Sequence, residues 1–394
     1  MAQPRIPCQA QVAASILFLS LFTTHTLAID CSKGPFVVAT QQDADALNGC
    51  TQSLAPDSDL HGDVVVAPSA SGDLNISYHR YINGNFIAEN APLLQALVLE
   101  QINASTQRAL TKNIVLRNLS SLSQFTHHVR SVDSLTFQDL PSLEMVDLSP
   151  VNLFGALELE NLPKLQKILL AKDSPVTVAT NLTVRNVDFD SDAISSLLSN
   201  DFGGKSTAVI EGIPNANRLL FGYVERKSVT IKGNGNLSVL FTCSAYDSAM
   251  IIDCPFGFGA NWPVASMHIP DLTISGVSNL TRDSTHSPAE RITMGTLQAI
   301  NNTFKTVSPN FENLTSLYLI DNPNLREVRF RPEALNYSWS DIVISGNPEL
   351  RLKSAHSHNV SFPDTESHLK PVFIWPRQDT STMVFKGAFD NAFL

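Results

Sequence analysis

Apolar and polar positions alternate over short stretches of this chain, and the stretches repeat. Residues 135–148 read L-T-F-Q-D-L-P-S-L-E-M-V-D-L, and 22 residues later the chain reads L-E-L-E-N-L-P-K-L-Q-K-I-L-L. Leu135 matches Leu157, Phe137 matches Leu159, Pro141 matches Pro163, Leu143 matches Leu165 and Val146 matches Ile168. The shared frame is apolar–x–apolar–x–Asn/Asp/Gly, then Pro or a small polar residue two positions on, then Leu two beyond that. It recurs around Pro92, Ser120, Pro214, Gly235, Ser278, Pro323 and Pro348, with weaker copies near Asp188 and Gln298. That makes about eleven copies, mostly 20 to 28 residues apart, a period typical of solenoid coils.

Each part of the frame has a physical role. The apolar–x–apolar pair is a short strand with two side chains on one face. Asn, Asp or Gly tolerates a left-handed backbone and turns the chain. Proline fixes φ and stops the strand. The later Leu returns to the interior. One coil cannot bury these residues alone, so stacked coils share a core. The frame predicts a mainly β chain: a right-handed parallel β-solenoid, leucine-rich-repeat-like, with the hand set by the crossover rule. Such coils make a rod roughly 50–60 Å long at ~4.8 Å per layer. A β-sandwich is the competing fold, but its strands would not repeat a turn–Pro–Leu signature at fixed offset.

The rest of the chain divides around this block. Residues 1–28 read as a secretory signal: Arg5, an apolar run from Val12 to Phe22, and Thr26-Leu27-Ala28 as a small-residue cleavage site. The run is too short to span a membrane. Residues 29–61 are expected to cap the solenoid, with a strand at Phe36–Ala39, an N-cap at Thr40 and a short helix stopped by Asn48-Gly49. The solenoid is placed at residues 62–362, with a helical insert near 190–200 and a disulfide loop at 243–254. Residues 363–394 carry no frame and read as a loose tail.

Cys8 leaves with the signal, and four cysteines remain: Cys31, Cys50, Cys243 and Cys254. An even, sparse count after a signal reads as disulfides in an oxidising compartment. Three pairings are open; Cys31–Cys50 and Cys243–Cys254 close the shortest loops. Their spacing fits no zinc pattern. The chain also carries ten N-x-S/T sequons, at Asn75, Asn103, Asn118, Asn181, Asn236, Asn279, Asn301, Asn313, Asn336 and Asn359. After a signal peptide these are candidate N-glycosylation sites. They fall at turns and loops, which is expected to leave one sheet face bare.

The run Gln41-Gln42-Asp43-Ala44-Asp45-Ala46-Leu47-Asn48-Gly49-Cys50 follows Cys31 and precedes the Gly62-Asp63 strand. It resembles the start of receptor-L-domain-like modules. It is most similar to fungal cell-wall glycoproteins of the sporulation-specific and extracellular-mutant type, which also carry the N-x-P-x-L coils seen at Pro163, Pro323 and Pro348. The resemblance covers roughly Cys31 to Phe362. It implies a non-catalytic glycoprotein of the cell surface or wall, supporting cell-wall or spore-wall organisation. Such proteins usually end in a glycosylphosphatidylinositol anchor signal. Here Lys386 and Asp390 interrupt the last apolar stretch, so the expectation is secretion without that anchor.

Charge and motifs narrow the chemistry. The net charge is -10, with 43% hydrophobic and 16% charged residues, which favours a folded core. An acidic chain without a basic cluster argues against nucleic acid as a partner. No G-x-S-x-G, G-x-G-x-x-G, phosphate-loop or H-E-x-x-H motif is present. His127-His128 and His356-Ser357-His358 could each offer metal ligands, but no third ligand is evident. The Asp188–Ser199 run begins D-F-D-S-D yet has Ala193 and Ser199 where a calcium loop needs Gly and Glu. It reads instead as an Asp-capped helix from Ala193 to Leu198. Glu158 and Glu160 flank inward Leu159 and should point out together, a pair that suits glycoside chemistry or an ordinary solvated strand. The expected role is therefore binding without cofactor, to cell-wall polysaccharide or mannoprotein, or to surface proteins. A ligand-binding L-domain for glycan or peptide and a polysaccharide-active β-helix enzyme are the alternatives.

Overall fold

The computed structural model describes residues 34–54, 58–79, 82–102, 111–128, 131–148, 153–170, 177–192, 194, 206–221, 224–233, 237–241, 244–254, 256–258, 267–277, 280–282, 292–307, 314–328, 339–350 and 382–389. The apolar–x–apolar pairs lie on strands that pair in parallel in chain order. The series runs Phe36–Val38, Val64–Val66, Phe86–Glu89, Thr111–Arg117, Ser131–Gln138, Leu153–Leu162 and Thr177–Val187. It continues through Thr207–Glu211, Val224–Lys232, Ser244–Ile252, Asp271–Ser275, Thr296–Ile300, Ser316–Ile320 and Trp339–Ser345. All belong to one 17-stranded sheet, and the chain is a parallel β-solenoid. Its register is that of the sequence repeat, with Leu135 opposite Leu157 and Phe137 opposite Leu159. Leu135, Phe137, Leu143, Leu157, Leu159 and Leu165 are all buried in one core, as the frame requires. The strand Ser244–Ile252, with Ala249 and Ile251 inside, is the degenerate coil between the Gly235 and Ser278 copies.

A second face is built from two further sets of strands. Ser71–Tyr78, Leu93–Gln101, Gln124–His128, Met145–Leu148 and Lys167–Leu170 form a 5-stranded sheet. Arg218–Phe221, Ser238–Phe241, Phe256–Phe258 and Leu280–Arg282 form a 4-stranded one. The break between them is where the helical insert was expected. Ser191, Asp192 and Ile194 are helical; Ile194 is buried and donates its N–H to Asp190 O at 3.3 Å. Ser191 Oγ accepts from the backbone N–H groups of Asn217 at 3.0 Å and Arg218 at 3.1 Å. One hydroxyl thus takes up donors at the start of the edge strand that resumes the face. The remainder of the insert lies outside the described residues.

The turn residue of each coil has the backbone its side chain favours. Asn90, Asn118, Asp139, Asn161, Asn186, Asp253, Asn301 and Asp321 have φ between 51° and 57°, and Gly212, Gly276 and Gly346 between 64° and 67°. Stacked turns then bond along the axis: Asn118 Nδ2 donates to Asn90 Oδ1 at 3.2 Å, Asn161 Nδ2 to Asp139 Oδ1 at 2.8 Å and Asn186 Nδ2 to Asn161 Oδ1 at 2.9 Å. At Gly276 an added Cβ would fall on the Asp253 carboxylate. Gly276→Ala should therefore cost roughly 1–3 kcal/mol, from left-handed strain and displacement of that carboxylate. The larger Gly276→Asn should cost less, because Asn tolerates the backbone and can bond the Asp253 carboxylate as Asn161 bonds Asp139. Urea midpoints of the two variants test this; an Asn variant weaker than the Ala variant would reject a side-chain ladder.

The residue after each turn points inward too, a third interior position that the frame did not mark. Ala91, Leu119, Leu140, Leu162, Val187, Ile213, Val277, Asn302, Asn322 and Asn347 occupy it, all buried. The last three form a ladder. Asn302 N donates to Asn322 Oδ1 at 2.9 Å, and Asn322 N donates to Asn347 Oδ1 at 3.0 Å. Their amides reach back to Ile274 O at 3.2 Å, Ala299 O at 3.0 Å and Leu319 O at 2.8 Å. Turning the chain frees backbone groups from the sheet, and the amides satisfy them inside the core.

Cys254 holds this same position, and that corrects the expected Cys243–Cys254 bridge. It is a free thiol with no exposed surface, following the Asp253 turn and packed on Gly233. Burial pushes the thiol up to about 12, against a backbone hydrogen bond at Gly233. Pointing inward with the core row, it acts as a small apolar side chain. Cys243 lies outside the described residues.

The two ends of the solenoid are covered differently. The helix Gln41–Ser53 starts at N-cap Thr40 with a capping box, Asp43 N to Thr40 Oγ1 at 3.3 Å and Thr40 N to Asp43 Oδ2 at 2.9 Å. It continues past Asn48-Gly49, where the sequence predicted a stop. Cys50 and Thr51 are buried on that continuation, and Thr51 Oγ1 accepts the backbone N–H of His79 at 3.0 Å. Packing of this face outweighs the ~1 kcal/mol helix penalty of one glycine. Cys50 is disulfide-bonded; Cys31, its expected partner, lies outside the described residues. Gln41 donates Nε2 to Asn75 O at 2.8 Å and accepts Asn75 N at 2.9 Å. Its amide thereby takes the place of a neighbouring strand on the edge of Ser71–Tyr78.

At the far end, Thr382–Phe389 is a strand lying antiparallel on Trp339–Ser345, with Lys386 opposite Asp341 and Phe385 opposite Ile342. The reading of residues 363–394 as a loose tail is corrected at this strand. An antiparallel strand there covers the backbone edge of the last parallel strand.

Candidate functional site

The outer surface of the long sheet is the broadest continuous feature of the solenoid. Strand alternation puts three columns of side chains on it, running along the axis. The central column follows the residue between each inward pair: Val37, Val65, Ile87, Val115, Thr136 and Glu158, then Thr183, Val209, Thr230, Met250 and Thr273. The first four are β-branched aliphatics on adjacent strands, an apolar stripe with Val37 51% exposed at its end. Farther along, the same column carries Gln298, Tyr318 and Val343.

The stripe has a different flank on each side. On one side Asp63 Oδ1 accepts from Asn85 N at 2.8 Å and Asn85 Nδ2 at 3.1 Å. Asn113 Nδ2 then donates to Asn85 Oδ1 at 2.8 Å, and Ser134 Oγ to Asn113 Oδ1 at 2.5 Å. On the other side runs a row of charged and amide groups: Glu89, Arg117, Gln138, Glu160, Arg185, Glu211 and Lys232. Arg117 Nη1 lies 3.5 Å from Glu89 Oε1, Arg185 Nε 3.8 Å from Glu211 Oε2, and Lys232 Nζ 2.9 Å from Glu211 Oε1. The hydrogen bond and charge of Glu211 hold the Lys232 ammonium above the usual lysine range. Opposite charges on adjacent strands favour this register, though solvent screening leaves each exposed pair only a small contribution. After Lys232 the row loses its charges and mixes isoleucine with serine, through Ile252, Ser275, Ile300 and Ile320. The face thus carries columns in register from coil to coil, amphipathic over its first strands and mixed beyond them, with Tyr318 in the C-terminal part of the central column.

The candidate residues named from sequence fall at different places. Glu158 and Glu160 both lie on the outer face, as alternation predicts, and Glu158 Oε2 accepts from Thr136 Oγ1 at 3.4 Å. His127 and His128 do not form a metal pair: His127 is fully buried and His128 is exposed. His356 and His358 lie outside the described residues. No group of three or more His, Cys, Asp or Glu side chains among the described residues is placed to hold a metal.

Of the sequons, Asn118 and Asn301 sit at positive-φ turns, Asn118 beside the charged row and Asn301 beside its uncharged continuation at Ile300. Asn75 is exposed on the second face and accepts from the hydroxyl of its own sequon Ser77 at 3.2 Å. Asn181 is exposed on the long sheet, where its Oδ1 accepts from Thr207 Oγ1. That corrects the expectation of a sheet face free of sequons: a glycan at Asn181 would stand midway along the outer surface, leaving the Val37–Val115 stripe on one side of it. Asn103, Asn236, Asn279, Asn313, Asn336 and Asn359 lie outside the described residues. The flanking ladders were not read from the sequence, although Asp63, Asn85 and Asn113 each stand one position before the first inward residue of a coil, Val64, Phe86 and Ile114, and could have signalled one.

Among the described residues no helix is long and apolar enough to cross a membrane. No protein-family model, curated protein or solved structure matches the chain, so the reading of this face rests on its own residues.

Proposed function

We propose that the chain is a secreted or cell-surface fungal glycoprotein that supports cell-wall or spore-wall organisation by binding wall polysaccharide or mannoprotein, without catalysis. The observation that carries this reading is the outer face of the long sheet, whose side chains stack in register along the axis and form an aliphatic stripe with polar flanks over the first four strands. The signal-like N-terminus, the ten sequons and the wall-protein resemblance of the cap agree with it. A repeating face offers many weak contacts to a repeating polymer, and avidity then supplies affinity that no single contact provides. Purified glycoprotein should sediment with insoluble wall material and leave that material unchanged. Ile87→Asp together with Val115→Asp should release most of it, because both changes place charge on the outer stripe and leave the core intact. Wild-type protein that stays in the supernatant overturns the binding reading. Release of reducing sugar that depends on Glu158 or Glu160 moves the assignment to a polysaccharide-active enzyme.

A further inference from the structure

The inner row Ile76–Leu99–His127 contains an imidazole where its register neighbours are aliphatic. His127 has no exposed surface, and neither ring nitrogen has a hydrogen-bond partner. Its ring stacks on Phe125, with centroids 6.0 Å apart and planes at 16°. Phe125 in turn meets Phe137 of the long sheet edge-on at 5.2 Å. A neutral imidazole always carries one N–H and one lone pair, so both are left unsatisfied here in either tautomer. That is a standing cost which leucine at the same place would not have. We propose that His127 is an acid-sensing residue, whose protonation opens the second face of the solenoid around the strand Gln124–His128.

The surroundings offer the charged ring nothing inside. On its own strand, His128 points outward and its charge opposes that of His127. On the preceding strand Glu100 is exposed and pairs in register with His128. On the following strand Asp147 pairs with Thr126, which alternates with His127. On the facing strand Ser131–Gln138, Asp133 is exposed. Strand alternation turns all three carboxylates away from the interior position, so a protonated ring gains a counter-ion only by leaving it.

Burial, with a smaller contribution from His128, lowers the ring's pKa from 6.5 to about 3. Between those values the opened strand binds a proton that the closed strand does not. The closed form is therefore favoured in full above the ordinary histidine pKa and loses ground as pH falls. One proton taken up per opening raises the opening constant about tenfold for each pH unit.

Hydrogen exchange of the intact glycoprotein tests this, read as protection at residues 124–128 after correction for the intrinsic exchange rate. Protection there should fall about tenfold per unit from pH 6 to pH 4. His127→Leu should abolish that fall and raise protection at neutral pH, while His128→Asn should keep it. The same fall in His127→Leu, or no fall in the wild type, overturns the proposal. If the Leu variant does not fold, the wild type still decides: a fall of equal size at the distant strand Ser316–Ile320 assigns acid sensitivity to groups other than His127 and also overturns it.

Discussion

Leu159→Asp should leave no folded protein in cells or medium. Leu159 is fully buried, between Phe137 on one coil and Val184 on the next. A carboxylate there has only apolar neighbours in its row and would carry an effective penalty of several kcal/mol. That is a large share of the roughly 5–15 kcal/mol by which a domain is stable. The damage should also spread, because each coil is held by the coils beside it. Leu159→Ala should be intermediate, costing about 2–5 kcal/mol through lost burial and the cavity left behind. Glu158→Ala, one residue away but outward, should change stability by only about 0.5 kcal/mol. Immunoblots of cell and medium fractions, with urea unfolding of whatever is recovered, measure all three. An Asp variant recovered at wild-type level with a sharp unfolding transition would refute a shared continuous core.

The second large effect is expected at Asn322, the middle rung of the buried amide ladder. Its Oδ1 accepts from both Asn302 N at 2.9 Å and Asn302 Nδ2 at 3.0 Å. Its Nδ2 donates to Ala299 O at 3.0 Å and Asn347 Oδ1 at 3.1 Å. Leucine branches at the same carbon but supplies none of these. Asn322→Leu strands a buried N–H on Asn302 and a carbonyl on Ala299, each worth about 1–3 kcal/mol when left unsatisfied. The sum, roughly 2–6 kcal/mol, should appear as a lower urea midpoint. The preceding ladder position, Val277, is already aliphatic and makes its bond through the backbone, its N–H donating to Asn302 Oδ1 at 2.8 Å. Val277→Leu should therefore cost much less than Asn322→Leu. Equal losses at the two sites would mean that shape, not hydrogen bonding, decides this row.

The repeat carried most of the architecture in plain view. The Leu135/Leu157 and Phe137/Leu159 matches, read at one offset, become register partners in the sheet. That follows because a strand's two-residue period and a turn residue at constant distance leave little freedom once one coil is placed. The turn residues were legible for the same local reason, since Asn, Asp and Gly are the side chains that accept positive φ. The outward position of Glu158 and Glu160 likewise followed from inward Leu159.

Other features depended on partners remote in sequence. The helix Gln41–Ser53 overruns Asn48-Gly49 because Cys50 and Thr51 find burial on strands that the local stretch does not contain. Cys254 belongs to the core row and not to a bridge, which only the stacking of coils decides. Asn302, Asn322 and Asn347 read as turn chemistry in isolation; inside the solenoid they meet carbonyls more than twenty residues away. The strand Thr382–Phe389 has no frame to announce it, and the uncovered edge of Trp339–Ser345 gives it a place. His127 looked like half of a surface pair until the alternation of Gln124–His128 was seen to turn it inward. Local sequence determined which residues turn and which pairs point in, because those are properties of one strand and one turn. The tertiary structure decided what each inward polar group meets, because that depends on the coil above and the coil below.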